Sequence, residues 1–396
     1  MKFAHIADCH LGCWREPVMR RANAKGFVLS VDHALQENVD FVIIAGDLFN
    51  SALPSIESIR LAVTQLKRLK DAGIPVYGIP GSHDFSPSGK SMIDVLESAD
   101  LFVNVAKGEE SEGKLKLRFT KDPKTGALIT GIFGRRGGLD KYYYQDLHRE
   151  SLNIGGFKIF VWHAALHELK PKGLEVMDAM SVSYLPKGFD YYAGGHVHVC
   201  QQASLEGHPR IVLPGPTFPC SFAEIEKLKQ GSCCIVDNGQ VKEIVLDTPP
   251  VYSFAVDCDQ KTPDTITEQV TEYAKKVTPG SIVTLRFEGT LSQGKPSDID
   301  FVGLSQLFVD CFVMKNTYKL HSADFERVQV IPQSIESIES RLIEERAGQF
   351  LSKDAEVKRT HSVLAVLSSL KDEAMNKSDF ESRVESELNV LLDITE

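Results

Sequence analysis

None of the eight cysteines in this 396-residue chain forms a CxxC pair. Cys9, Cys13, Cys200, Cys220, Cys233, Cys234, Cys258 and Cys311 lie scattered along it. That argues against a cysteine-rich zinc framework and for reduced thiols in a cytoplasmic protein. Cys9 and Cys13 lack the second pair that such a zinc site needs. The chain also has no uninterrupted run of 18 apolar residues, so no membrane span is expected. It has no excess of basic charge, with 44 Lys and Arg against 54 Asp and Glu and a net charge of −10. A generally basic nucleic-acid coat is therefore excluded, although a local basic patch is not. An acidic protein can also hold a phosphate through bound cations. The opening "MKFAHIADCH" reaches histidine and acid too early for a secretory leader.

The length exceeds what one core supports, so two or three domains are expected. Residues 1–248 alternate apolar runs with helical patterns, which predicts an α/β layered domain. "VDFVIIAGD" is continuously apolar, as in a strand buried on both faces. "PSIESIRLAVTQLKRLKDAG" carries Ile56, Ile59, Val63, Leu66 and Leu69 at helical spacing. Later apolar runs ("ALITGIFG", "FKIFVWHA", "DYYAGGHVH", "RIVLPGP", "SCCIVDN") have little helix between them, so the second half is expected to be more antiparallel. The pattern resets near "DTPPVYSF". Residues 249–333 then read as a small α+β module, and residues 334–396 as a charged helical tail.

Chemistry-bearing residues follow several of these apolar runs. They are Asp8-x-His10, Gly46-Asp47, Gly81-Ser82-His83-Asp84, His163, and Gly195-His196-x-His198. Loops beyond the carboxyl ends of strands in an α/β sheet converge on one crevice. Two aspartates, four histidines and a neutral oxygen suit two borderline-to-hard divalent ions such as Mn²⁺. The expected partition gives Asp8, His10 and His198 to one ion and Ser82, His163 and His196 to the other, with Asp47 bridging. His83 is left either to donate a proton to the leaving oxygen or to stabilise the charge there. Asp84 either orients His83 or holds the turn together.

The motifs "DCH", "GDLF", "GSHD", "WHA" and "GHVH" resemble the calcineurin-like metallophosphoesterase signature. More narrowly, "HIADCHLG", "NVDFVIIAGDLFNSALPS" and "GIPVYGIPGSHD" resemble the nuclease subunit of Mre-type (SbcD-like) double-strand-break repair complexes. The resemblance implies a metallophosphoesterase β-sandwich flanked by helices, a DNA-contacting α+β cap and a helical C-terminal tail. It implies two Mn²⁺ per chain and exonuclease and endonuclease action at DNA ends. It further implies a homodimer, a coiled-coil ABC-type ATPase as partner, and a nucleoid-associated place in a prokaryotic cytoplasm. Leu342, Phe350, Phe380, Val384 and Leu388 become candidates for the ATPase-facing stripe, with packing inside this chain as the alternative.

Two positions depart from that family pattern. Ser82 stands where the pattern has a metal-binding asparagine, and Asn50 stands where archaeal relatives carry a histidine. A serine oxygen lies nearer the backbone than an amide oxygen, so the second ion is expected to bind more weakly. Reduced nuclease activity follows. A largely non-catalytic scaffold that tethers DNA ends for the ATPase is the rival reading. Candidate phosphate contacts are Arg15, Arg20, Lys90, Arg135 and Arg136, with Arg21 beside them. Each has solvated surface charge as its alternative. The tyrosines of "GRRGGLDKYYY" either stack on bases or pack on a neighbouring element.

Overall fold

A computed structural model of the chain describes residues 1–86, 91–111, 113–135, 141–171, 177–322, 340, 342–343, 347, 352–368 and 377–392. The chain divides into two compact units, Met1–Ala323 and Asp324–Glu396.

The strands of the first unit are β1 (Lys2–Ile6), β2 (Phe41–Ala45), β3 (Val76–Ile79), β4 (Val103–Asn104), β5 (Gly108–Ser111), β6 (Lys114–Leu117), β7 (Thr120–Lys121), β8 (Leu128–Ile132) and β9 (Lys158–His163). They continue with β10 (Tyr191–Gly195), β11 (Cys200–Leu205), β12 (His208–Pro214), β13 (Ser232–Asp237), β14 (Gln240–Val245), β15 (Val251–Asp257), β16 (Ile282–Thr290) and β17 (Phe312–His321). One six-stranded sheet runs β14-β13-β1-β2-β3-β4 and a second runs β11-β12-β10-β9-β8-β7. The charged 108–117 stretch is the β5–β6 hairpin.

The continuous apolar strands are explained by the layers. In β2, Phe41, Ile43 and Ala45 face the core between the sheets, while Val42 and Ile44 face the helix-covered outer core. In β9, Ile159 and Val161 point inward, and Phe160 and Trp162 fill the opposite outer core. Neither face of these strands meets water, so alternation is lost and every position is apolar. Helices α1 (Pro17–Gln36), α2 (Ile56–Asp71) and α3 (Met92–Ser98) are the helices on the first sheet's outer side, supplying Phe27, Leu66 and Leu96 to its core.

The second half is more antiparallel than the first, with β13 antiparallel to β1 and β14, β11 to β12 and β7 to β8, but the centre of the second sheet is parallel. β8, β9, β10 and β12 are mutually parallel; in that sheet only β7 and β11, at its edges, pair antiparallel. Among the described residues, the β8–β9 and β9–β10 connections hold short 3₁₀ turns and the five-residue α4 (Lys141–Gln145), with no long amphipathic helix.

The short helix α5 (Phe222–Leu228) precedes β13. After β14, the pieces β15, α6 (Pro263–Ala274), β16, α7 (Phe301–Gln306) and β17 form a three-stranded parallel sheet with its own core. In the second unit, α8 (Lys353–Leu367) and α9 (Lys377–Leu392) pack on one another. Among the described residues no helix is long and apolar enough to cross a membrane.

Candidate metal centre

The residues singled out by motif sit at the carboxyl ends of five parallel strands. Asp8 follows β1, Asp47 follows β2, Ser82 and His83 follow β3, His163 ends β9, and His196 and His198 follow β10. Because β1–β3 and β9–β10 are parallel within their sheets, their ends meet at one rim of the sandwich.

The backbone is bent hard to aim these groups. Asp8, His10, Asp47 and His196 have φ of 52°, 42°, 51° and 86°. Left-handed conformations in non-glycine residues store strain and cluster where function over-determines them. Gly46 has φ +88°, and a Cβ there would lie 2.2 Å from His163 Nδ1. A Cβ on Gly81 would lie 2.2 Å from Asp47 Oδ1. The two glycines let neighbouring loops close around the imidazole and the carboxylate.

Donor atoms of Asp8, His10 and His198 all lie within 4.8 Å of one another, and so do those of Asp47, His163 and His196. A third such group joins His10, Asp47 and His83. Asp47 Oδ2 lies 3.6 Å from His10 Nε2 and 3.0 Å from His163 Nε2, so this carboxylate stands between the two triads. His163 Nε2 is buried and, despite that proximity, has no partner in hydrogen-bonding geometry. The Nε2 atoms of His10 and His198 are 3.1 Å apart, with Asp8 Oδ1 3.7 Å from His198 Nε2. Asp8, His10, Asp47 and His163 are all buried. Lone pairs and carboxylates packed together away from water are unfavourable unless a cation sits among them. The residues present fit a pair of divalent ions.

The far side of each ring is also held. His163 Nδ1 is 2.8 Å from the Ala45 carbonyl, which as an acceptor requires Nδ1–H and leaves Nε2 free for an ion. His198 Nδ1 is 3.0 Å from Glu224 Oε2, and that same oxygen accepts from Cys220 N at 2.9 Å. Burial opposes ionisation of Glu224, but the His198 contact outweighs it and holds the carboxyl at about 2. Burial likewise opposes a charge on His198, and Glu224 with Asp8 lifts its pKa above the ordinary value. His10 and His196 are driven the other way, down to about 3, first by burial. Neutral imidazoles of that kind are ready to bind a cation.

Ser82 is buried, and its hydroxyl donates to Asp47 Oδ2 at 3.4 Å. The hydroxyl thus points at the carboxylate between the triads. His83 donates its backbone N–H to Asp47 Oδ1 at 2.7 Å, and its Nδ1 is 2.9 Å from the Asn50 carbonyl. The peptide of Asn50, whatever its side chain, therefore orients His83. Asp84 accepts from the backbone N–H groups of Leu48, Phe49 and Gly81, tying the loops after β2 and β3 together. A cavity of about 410 Å³ opens over the centre, lined by His10, Asp47, Ser82, His83, His196 and His198. Its other wall is α5, through Ala223, Glu224 and Lys227.

Three of the candidate DNA-contact residues, Arg15, Arg20 and Arg135, are among the described residues. Arg15 and Arg20 are exposed, and Arg20 lines a separate cleft with Arg21 and Arg60 between α1 and α2. Arg135 stacks over the Phe85 ring at 4.8 Å and donates to Tyr143 Oη at 3.1 Å. It supports the loop that carries His83. Lys90 and Arg136 lie outside the described residues. Of the three tyrosines, Tyr144 is fully buried in the core and Tyr142 is exposed. Among the tail candidates, Leu342 is exposed, Phe350 lies outside the described residues, and Phe380, Val384 and Leu388 are half-buried along α9.

Glu224 and Lys227 were not found by sequence reasoning. They sit in "SFAEIEKL", which reads as an ordinary capped helix, and only the folded chain brings them to the centre.

Residues 1–200 match the model of the calcineurin-like phosphoesterase family. The DNA double-strand break repair protein Mre11 of Archaeoglobus fulgidus is 30% identical over 287 residues, covering 65% of this chain and 62% of that protein. The protein of the same name from Methanopyrus kandleri is 29% identical over 57% of this chain and 51% of its own length. An uncharacterized metallophosphoesterase of Bacillus subtilis, YhaO, is 29% identical over 55% of this chain and 53% of its own. The chain thus spans between about half and three fifths of the length of these curated relatives.

Proposed function

Because this chain belongs to the calcineurin-like phosphoesterase family, we propose that it is a Mn²⁺-dependent DNA nuclease subunit acting at double-strand breaks. Its partner is a coiled-coil ABC-type ATPase, and it works as a homodimer in a prokaryotic cytoplasm. The observation that carries the reading is the convergence of two donor triads on Asp47 beneath an open cavity. The repair proteins among its relatives support DNA as the substrate of this phosphoesterase. The proposed organisation is a nuclease domain over 1–248, a DNA-contacting cap over 249–333 and an ATPase-binding tail over 334–396.

Asp8, His10 and His198 would hold one ion and His163, His196 and Ser82 the other, with Asp47 shared. Two bound cations clamp a phosphoryl oxygen and acidify a water. The protein's own part is orientation. Ala45 and Glu224 fix the rings of His163 and His198. The Asn50 carbonyl fixes His83 with Nδ1–H, so a protonated His83 presents Nε2–H to the cavity and can give that proton to the leaving oxygen. Lys227, on the facing wall, supplies a positive charge for a backbone phosphate.

Ser82 favours a second reading, an attenuated enzyme that serves chiefly as a DNA-end scaffold for the ATPase. Cleavage of linear duplex DNA, with Mn²⁺ or with chelator and with or without the ATPase, separates the two. Metal-dependent cleavage that exceeds that of a His83→Gln variant supports the nuclease. DNA binding with equal, negligible cleavage by both supports the scaffold.

A further inference from the structure

Helix α5 has seven residues and three different neighbours. Its Ser221 cap accepts from Glu224 N and fixes the first turn. Glu224 reaches inward to His198 Nδ1 at 3.0 Å. Two residues on, about 200° around a helix, Glu226 reaches the other way. There Arg286 of β16 holds it with Nε at 3.0 Å from both carboxylate oxygens, and with Nη2 as well. The Arg286 guanidinium also lies 5.2 Å from the Phe222 ring centroid. Between these faces Ile225 is fully buried with Ile282 of β16 and Met19 of α1.

We infer that α5 couples the position of the 251–321 module to the metal centre, with Arg286 and Glu226 as positioning residues for His198. The inference rests on the metal-centre reading. A two-turn helix gripped by a bidentate ion pair, an aromatic face and a buried isoleucine moves as a body with β16. Glu224 sits on that body and sets the tilt of the His198 ring. When the module shifts, as on seating a nucleic-acid strand, the imidazole that completes the Asp8–His10–His198 triad shifts with it. Thermodynamic reciprocity requires the converse, that an ion at the triad steadies the module.

The test is Mn²⁺ titration by calorimetry on the full chain, without substrate. Glu224→Gln is expected to weaken the affected ion by 10- to 100-fold, the usual effect of losing a carboxylate behind a ligating histidine. Arg286→Met and Glu226→Gln, which touch no ligand, are expected to weaken the same ion about five-fold, an intermediate loss on the same scale. On a Glu224→Gln background Arg286→Met should add little, because the link is already cut. Lys275→Gln breaks an exposed ion pair with Glu272 at the end of α6 and should leave affinity unchanged. Hydrogen exchange of β16 amides should slow on adding Mn²⁺ to wild type and slow less in Arg286→Met. Folded Arg286→Met and Glu226→Gln proteins within two-fold of wild-type affinity overturn the coupling while leaving the metal centre intact. So does full additivity with Glu224→Gln. A wild-type chain that binds no ion overturns the metal-centre reading and the coupling with it.

Discussion

Replacing Asp84 by alanine leaves three backbone donors without a partner at one stroke. Its Oδ2 accepts from Leu48 N at 3.1 Å and Gly81 N at 3.0 Å, and its Oδ1 accepts from Phe49 N at 2.9 Å. The residue is only 2% exposed, so bulk water does not take over. Each orphaned buried donor costs about 1–3 kcal/mol, and such losses add incompletely among neighbours. Asp84→Ala is therefore expected to lower unfolding free energy by roughly 3–6 kcal/mol. Asp84→Asn keeps one acceptor oxygen and turns an amide N–H₂ toward one of the donors, for a loss of about 1–3 kcal/mol. Both tryptophans, Trp14 and Trp162, lie before residue 248, so urea unfolding followed by tryptophan fluorescence reports on the sandwich and not on the tail. The loops that Asp84 joins carry Asp47 and Ser82, so metal affinity should fall in the same order, wild type above Asn above Ala. A loss below about 1 kcal/mol for Asp84→Ala, less than one orphaned donor, would refute the reasoning that this carboxylate braces the two loops.

Ser82→Asn places an amide oxygen where the hydroxyl now points at Asp47. It should tighten one Mn²⁺ by about ten-fold, on the scale of a polar group added around a metal, and should raise DNA cleavage; unchanged titration and turnover would reject that role for position 82. His83→Gln should retain both ions and lose about 10²–10⁴-fold in cleavage rate, the contribution of a general acid. Loss of the ions instead would make His83 a ligand. Metal binding should strengthen as pH rises. Burial works against a charge on His163, yet Asp47 and Asp8 outweigh it and hold its pKa above the ordinary value in the metal-free centre. An ion must displace that proton, so calorimetry in buffers of different ionisation enthalpy should detect proton release. In metal-free protein the stability this pairing gives is full below the ordinary imidazole pKa of about 6.5 and fades as pH climbs through the raised value.

What was legible in the sequence is local. "FVIIA" and "KIFVWH" declare strands buried on both faces because no position in them meets water. The aspartates and histidines that follow them are legible because chain direction alone puts strand ends at one rim. The parallel centre of the second sheet is not legible because, among the described residues, the connections over 133–157 and 164–190 hold only 3₁₀ turns and the five-residue α4, with no helical periodicity. Glu224 was missed because its partner His198 is 26 residues away, and nothing in "AEIEKL" separates a solvated glutamate from one turned toward a site. Asn50 was weighed by its side chain, whereas its carbonyl does the orienting. Nothing in "GRRGG" foretells that Arg135 lies over the Phe85 ring and donates to Tyr143.

The most direct test is a crystal of the wild-type chain soaked in Mn²⁺ and measured at the manganese absorption edge. Two anomalous peaks about 3.5–4 Å apart are expected, one among Asp8, His10 and His198, the other against His163 and His196, with an Asp47 oxygen touching both. No peak, a single peak, or a pair that leaves Asp47 without contact would contradict a two-ion centre and the nuclease reading built on it.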